Sequence, residues 1–589
     1  MPTRDVETEL ASRGLISPDL EMLRPTVTRY SCLLLQPSGP IFASSQRIGH
    51  LNETVAAAKG AKFLELAKTR SAQLAVIPEY FLPWTALKSA INDSNVPSSD
   101  ALWVLGCESA TRESLEAFSR EVSDKCLVIH EPWATLASGR TLLDPVVLLF
   151  QATRSDQSQQ LVALVQFKTF PSRDPLFQEE EWLLKGNRVY RFRGRSGQMT
   201  VAAIICSDSL ALTDAWLQDF TDRATLIHIQ LNPNPRHVDY RRYRGTTFST
   251  DSRATNCHIV ALNWAHSIVQ HSDDGPGPAS WNNIAGSTWY CPADECSCDD
   301  AVVHPNHTRG VYYAYMTERR HALVLHYDEA VFELLVPKLF TTEPAVVANR
   351  NGPTCIHRYE WRGDPSSWHE TSDAPDTGFL GLLAEHHEIE PVLRQVLNVS
   401  NVLGVERVLA LTAGAINGTE QWLSAHNIDS CQIAADEVVR RITVAQDPSS
   451  LARSFRHERL ACLANLQHII STHDTWPPQV VGVDADARLH WERGIPHHNV
   501  VTASNVPTLI AFLGESPSAH LIQMVADMLF DLLRRAGGDH HKRLCILYRK
   551  HGDVRFATIP GLTRFDDPME DKTDFLAVTP LDITDGASG

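Results

Sequence analysis

The sequence predicts an α/β fold of sheet layered with helix, followed by a separate, mainly helical α+β region. Two observations predict the first part. Between about residues 28 and 340, short apolar runs alternate with longer segments of helical periodicity. Several of those runs are apolar on both faces, as strands covered from both sides are. A third observation marks the second part: after Phe340 the composition shifts to Pro, Gly, Ser and Asp, and beyond that stretch helical patterns dominate.

Taken in order, residues 1–27 read as an N-terminal extension, and MPTRDVETEL has no apolar core of the kind a secretory leader needs. The strand-like runs are RYSCLLLQ, SAQLAVIPE, DKCLVIHEP, DPVVLLFQ, LVALVQFK, MTVAAIICSD, ATLIHIQLN, CHIVALNWA and HALVLHYDE. Between them, SSQRIGHLNETVAAAKGAKFLELAKTR sets Ile48, Leu51, Val55 and Ala58 at helical spacing, and GCESATRESLEAFSREVSDK does so with Leu115, Phe118 and Val122. Residues 341–375 read as a linker and 376–589 as a C-terminal α+β domain. In that domain SSLARSFRHERLACLANLQHIIS and SAHLIQMVADMLFDLLRRAGG read as helices. KRLCILYRK and DVRFATIP, on either side of His551-Gly552, read as a hairpin.

The chain of 589 residues has a net charge of −17, which disfavours a nucleic-acid or anionic-membrane partner. No run approaches the length of an apolar membrane span. The 12 cysteines form no regular framework, and several sit inside apolar runs. A reduced, cytoplasmic interior is the expectation.

Three chemistry-bearing residues follow apolar runs at equivalent places: Glu79 after SAQLAVIP, Lys168 after LVALVQF and Cys206 after MTVAAII. That edge of an α/β sheet is where binding and catalytic groups gather. Together the three suit acyl transfer: a thiol attacks a carbonyl, a carboxylate takes the thiol proton, and an ammonium holds the oxyanion. Lys168 is also expected to favour the thiolate. Singly, each has a plainer reading. A cysteine in an apolar strand is usually a packed core thiol, and a Glu or Lys at a strand end is usually solvated. Their joint occurrence in order raises the functional reading above the plain one.

The words around these residues resemble the nitrilase, or carbon–nitrogen hydrolase, superfamily over roughly residues 28–340. Pro78-Glu79-Tyr80 is similar to its base segment, FKTFPS to its lysine segment and IICSD to its nucleophile segment. Gln36, LKGNRVYRF, SRATNCHIVALNWA and GSTWY are similar to its flanking features. The resemblance implies a four-layer α-β-β-α sandwich and a Glu79–Lys168–Cys206 triad. It also implies a thioester intermediate, no metal or other cofactor, and a small-molecule amide-type substrate. It implies a homodimer or a higher assembly. A second catalytic-site Glu is implied as well; spacing back from Gly186 favours Glu179 over Glu180 and Glu181, against the plainer reading of a charged surface turn. Glu131 ranks below it. Cys206-Ser207-Asp208 departs from the Cys-Trp-Glu of true nitrilases, which shifts the implied substrate from nitriles to amides or carbamoyl compounds. Tyr80, Ser207, Asp208 and Asn232 are the expected substrate-side residues, with the Ser207 N–H as an oxyanion donor. Trp84 is a further candidate by strand-end position, and for Tyr80, Trp84 and Asn232 alike simple packing or loop hydrogen bonding is at least as good a reading.

Several signals compete. Cys291, Cys296, Cys298, His304 and His307 offer thiolates and imidazoles at short spacing, but not in the pairs usual for zinc. His386-His387 and His540-His541 lie in polar surroundings and read as solvated. Arg241-Arg242-Tyr243-Arg244 reads as a solvated face, with an acidic-substrate grip as the sharper alternative. Residues 376–589 contain no GxxxxGK[ST] loop, so nothing there indicates ATP chemistry. The reading from a different class is a catalytically silent scaffold that binds a ligand or partner and signals through the C-terminal region.

Overall fold

The structure is a computed structural model that describes residues 2–136, 140–174, 179–213, 215–216, 223–233, 257–273, 277–281, 286–292, 306–317, 320–338, 342, 352–371, 379–414, 442–444, 450–480, 482–492, 497–535 and 539–559. It is a mixed α/β protein with two compact units that part at Asp376 and Thr377.

The first unit is built on two large sheets. One has ten strands. Its path runs Ser366–Thr371, Thr354–Gly363, Ala330–Pro337, Arg29–Gln36, Leu74–Leu82, Leu102–Cys107, Pro145–Arg154, Gln159–Phe167, Cys126–Ile129, and Leu15–Ile16 pairs onto Pro145–Arg154. The other has eight, in the order Thr3–Asp5, Val189–Arg193, Thr200–Ile205, Ala224–Ile229, His258–Leu262, Thr288–Pro292, Arg320–Leu325, Val311–Thr317. The strands carrying Glu79 and Cys206 both lie in the parallel stretches of their sheets. Parallel central strands are buried on both faces, which is why the sequence shows continuous apolar runs there instead of alternation. The sheets meet through Gln166, whose amide donates to Ala203 O at 2.9 Å and accepts from Tyr190 N–H at 2.8 Å. Phe150 and Phe192 pack edge to face across them at 5.1 Å.

Helices Glu53–Thr69, Trp84–Asn92 and Arg112–Glu121 bury Phe63, Leu64, Leu87, Leu115 and Phe118 in the core cluster that includes the ten-stranded sheet's Ile77, Leu105 and Val147. Thr111 and Ser114 close a capping box at the start of the third. The first starts later than its apolar spacing suggests. Ile48 belongs to the strand Ile48–His50, and Asn52 caps the helix by accepting from Val55 N–H at 3.1 Å.

Two segments read as extension and linker are sheet. Thr3–Asp5 pairs with Val189–Arg193, Leu15–Ile16 pairs with Pro145–Arg154, and Val6 and Leu10 between them are buried. Thr354–Gly363 and Ser366–Thr371 form a hairpin that extends the ten-stranded sheet from Ala330–Pro337. Its turn concentrates Gly363, Asp364 and Pro365, while its arms bury Cys355, Arg358, Tyr359 and Trp368.

The second unit has a five-stranded sheet, Arg488–Leu489, Val500–Val501, Pro507–Glu515, Leu544–Lys550, Asp553–Phe556, with helices Phe379–Ala384, Glu390–Thr412, Ser450–Thr472 and Ala519–Arg535. The hairpin expected around His551-Gly552 is present: both residues have positive φ, 53° and 86°, and Lys550 pairs with Asp553. His386 lies 3.1 Å from His457, and His540 stacks edge-on near His498, so neither is simply solvated. Among the described residues no helix is long and apolar enough to cross a membrane.

Candidate active site

Glu79 reaches the site through a break in strand pairing. Ile77 pairs with Leu105, and pairing resumes only at Leu82 with Cys107. The residues between bulge out, with Tyr80 at φ 60°. Gly106 makes this possible, because a Cβ there would stand 2.1 Å from Pro78 O. Trp264 fixes the bulge by donating from its indole N–H to Glu79 O at 2.8 Å.

Lys168 follows the last residue of the strand Gln159–Phe167. Its N–H donates to Asp144 O at 2.9 Å, and its carbonyl accepts from Gly186 N–H at 2.8 Å. Cys206 ends the strand Thr200–Ile205 at φ 37° and opens a 3-10 turn over Cys206–Ala211. A residue other than Gly at positive φ is strained, and such strain is a recurrent way of presenting a nucleophile on a sharp turn. His228 braces this turn: its Nε2 lies 2.8 Å from Cys206 O and its Nδ1 2.9 Å from the Gln230 amide. A carbonyl only accepts, so Nε2 is the donor to Cys206 O.

These elements bring Glu79, Lys168, Glu179 and Cys206 together, none more than 2% exposed. Lys168 Nζ donates to Glu79 at 2.7 Å and to Glu179 at 2.9 Å. Glu179 also accepts from Tyr80 Oη at 3.0 Å and from Ser172 N–H at 2.6 Å. Glu180 and Glu181 are exposed, and Glu180 faces Arg173. Glu131 lies elsewhere, accepting from Asn187 N–H and Arg188 at the turn after Gly186. Trp84 packs on Phe118 at 4.8 Å, a structural contact.

The expected substrate-side residues are spoken for by their neighbours. Asp208 Oδ1 accepts from Thr169 N–H, Thr169 Oγ1 and Phe170 N–H at 2.8–2.9 Å, and Oδ2 from Ile205 N–H at 3.2 Å. It ties the turn that begins at Cys206 to the Lys168 loop. Burial lifts its carboxyl to about 6, against the pull of Thr169. Ser207 Oγ donates to Phe170 O at 2.6 Å, Tyr80 Oη is engaged with Glu179, and the Asn232 amide donates to Gln230 at 3.3 Å.

Burial dominates the electrostatics. It pushes the Cys206 thiol well above its usual range; Glu79, Glu179 and Asp144 add to the rise, and Lys168 opposes it without prevailing. Lys168 thus favours the thiolate, as expected, while burial and the three carboxylates oppose it. Burial also raises Glu79, with Lys168 lowering it and Glu179 raising it. For Lys168 burial acts downward, yet Glu179, Glu79 and Asp144 outweigh it and the ammonium persists.

Glu79, Asp144 and Glu179 place their oxygens within 4.8 Å of one another, a spacing that could hold a metal ion. Lys168 Nζ occupies that position, at 2.7, 3.2 and 2.9 Å from the three. Of the candidate zinc ligands, Cys291 lies buried in the strand Thr288–Pro292 and the His307 ring packs on Tyr312. Cys296, Cys298 and His304 lie outside the described residues, as do Arg241, Arg242 and Arg244. Asp144 and His228 were missed by sequence reasoning. DPVVLLFQ and ATLIHIQLN read only as strands, with nothing in either run to single out its Asp or its His.

The fold and site define a class, two-sheet α/β proteins with a buried Cys beside a Glu–Lys–Glu cluster. Among solved structures, several are similar to part of the chain. The glutamine-dependent NAD+ synthetase of Acinetobacter baumannii matches at 16% identity and TM-score 0.30, covering 54% of this chain and 48% of the synthetase. An amidase from Nesterenkonia sp. matches at 9% and 0.26, covering 52% of this chain and 92% of the amidase. The C. elegans NitFhit protein matches at 12% and 0.25, covering 51% of this chain and 62% of NitFhit. No family model and no curated protein matches the chain.

Proposed function

We propose that the first unit is a thiol hydrolase of the nitrilase superfamily that cleaves a non-peptide carbon–nitrogen bond, in an amide or carbamoyl compound rather than a nitrile. The observation that carries this reading is Lys168 Nζ held between Glu79 and Glu179, all three buried as Cys206 is. On this reading the two facing sheets and their helices are the core of a four-layer α-β-β-α sandwich.

Glu79 accepts the thiol proton as Cys206 Sγ attacks the carbonyl carbon. A raised thiol pKa suits this concerted transfer, since no free thiolate has to be held in a cluster rich in carboxylates. Lys168 and the Ser207 N–H, free of an intrahelical acceptor at the start of its turn, stabilise the oxyanion. Protonated Glu79 gives its proton to the departing amine as the C–N bond breaks, leaving a thioester. Glu79 then takes a proton from water, hydroxide displaces Sγ, and the proton returns to the thiol. The net reaction is amide plus water to acid plus amine.

The test is an ammonia-release screen over primary amides, carbamoyl compounds and nitriles, with Cys206→Ala as control. Release by the wild type and none by the variant is expected. Equal release by both removes the mechanism, and no release from any compound turns the case to the silent scaffold.

A further inference from the structure

The mechanism through Glu79 leaves one buried acid without a role. Asp144 stands with its oxygens within 4.8 Å of those of Glu79 and Glu179, and the three share one ammonium. Three carboxylates this close, buried with a single positive charge, do not all ionise, because each repels the others and none is solvated. Hydrogen-bond donors decide which one keeps a proton. Glu79 accepts from Lys168 Nζ and from Leu231 N–H. Glu179 accepts from Lys168 Nζ, Tyr80 Oη and Ser172 N–H. Neither oxygen of Asp144 has a hydrogen-bond donor among the described residues. Lys168 Nζ is near, an ion-pair partner at 3.2 Å from Oδ2, but outside hydrogen-bond geometry. The carboxyl of Asp144 does face that of Glu79 closely enough to share a proton.

We propose that Asp144 is a positioning residue that stays protonated in the resting protein and donates its O–H to Glu79, fixing the orientation of the base. The inference rests on the reading of Glu79 as that base. A proton on Asp144 satisfies its otherwise unpartnered oxygen. It leaves Glu79 and Glu179 as the ionised pair around Lys168, and it lowers the net negative charge that the Cys206 thiol faces. The groups facing Asp144 are Glu79, Glu179, Lys168, Tyr80, Cys107 and Cys206. Burial, then the charge of Glu79, pushes its carboxyl well above the usual carboxylate range, in the same direction.

The experiment is the pH dependence of Cys206 alkylation by iodoacetamide, followed by peptide mass spectrometry, in wild type, Asp144→Asn and Asp144→Ala. Asn is neutral and keeps an N–H donor. It is expected to hold the acid limb of the profile in place and to react about tenfold faster than Ala, the worth of one hydrogen bond to a charged group. An Asp144→Asn variant as slow as Asp144→Ala, with its limb displaced, would show that Asp144 acts as an anion and overturn the proposal. Should Asp144→Ala not fold, the infrared carbonyl stretch of a buried neutral carboxyl is the second readout. It is expected in wild type and lost in Asp144→Asn, and its absence from wild type also overturns the proposal. Alkylation needs no turnover, so failure of the hydrolase reading leaves this outcome legible by itself.

Discussion

On the proposed mechanism Glu79 faces opposed demands: it must be ionised to take the thiol proton, and it is buried where ionisation is costly. Its carboxyl is raised, by burial first, so the base is lost as pH falls through a value above the ordinary carboxylate range near 4.5. The acid limb of kcat/KM is therefore expected above that range, and a limb at or below it in a pH–rate profile would contradict the assignment. On the same proposal Lys168 serves both stability and chemistry. Lys168→Met is expected to cost about 10²–10³ in rate through the lost oxyanion donor. It is also expected to cost about 3–5 kcal/mol in stability, because a buried ion pair loses one partner; steady-state kinetics and denaturant unfolding check the two. The convergence of Glu79, Lys168 and Cys206 was legible in the sequence because each directly follows an apolar run and sits in a recognisable word. Asp144 was not, because its significance comes from three-dimensional convergence on Lys168. Asp208 was legible as important but not in its role, since only the fold shows its oxygens filled by backbone N–H groups.

At the scale of elements, the site depends on two departures from regular structure, the bulge at Pro78–Phe81 and the positive φ of Cys206. Gly106→Ala pushes a Cβ against Pro78 O, backbone that cannot rotate aside. A loss of about 1–3 kcal/mol is expected by overpacking, with Cys206 reactivity falling as Glu79 shifts; a variant unchanged in thermal unfolding would deny the bulge its part. The central strands were readable because burial on both faces leaves continuous apolar runs. The hairpin Thr354–Thr371 was hidden because its turn residues dominate the composition of a short window. The N-terminal strands escaped because three-residue and two-residue pairings are too short for any periodicity to show.

At the scale of the molecule, two compact units share the chain, and the proposed chemistry belongs to the first. The second contains a parallel pair, Pro507–Glu515 with Leu544–Lys550, joined by the helix Ala519–Arg535, and its sequence offers no catalytic word to read. The family resemblance leads us to expect a homodimer or larger assembly, and sedimentation at micromolar concentration returning the mass of one 65.6 kDa chain would refute that. The most direct measurement concerns the bond at Cys206. An amide that is turned over should, on acid quenching, leave its acyl group on the Cys206 peptide, visible by mass spectrometry and absent from Cys206→Ala. Continued ammonia release by Cys206→Ala, or an acyl adduct on any other residue in its place, would contradict the account.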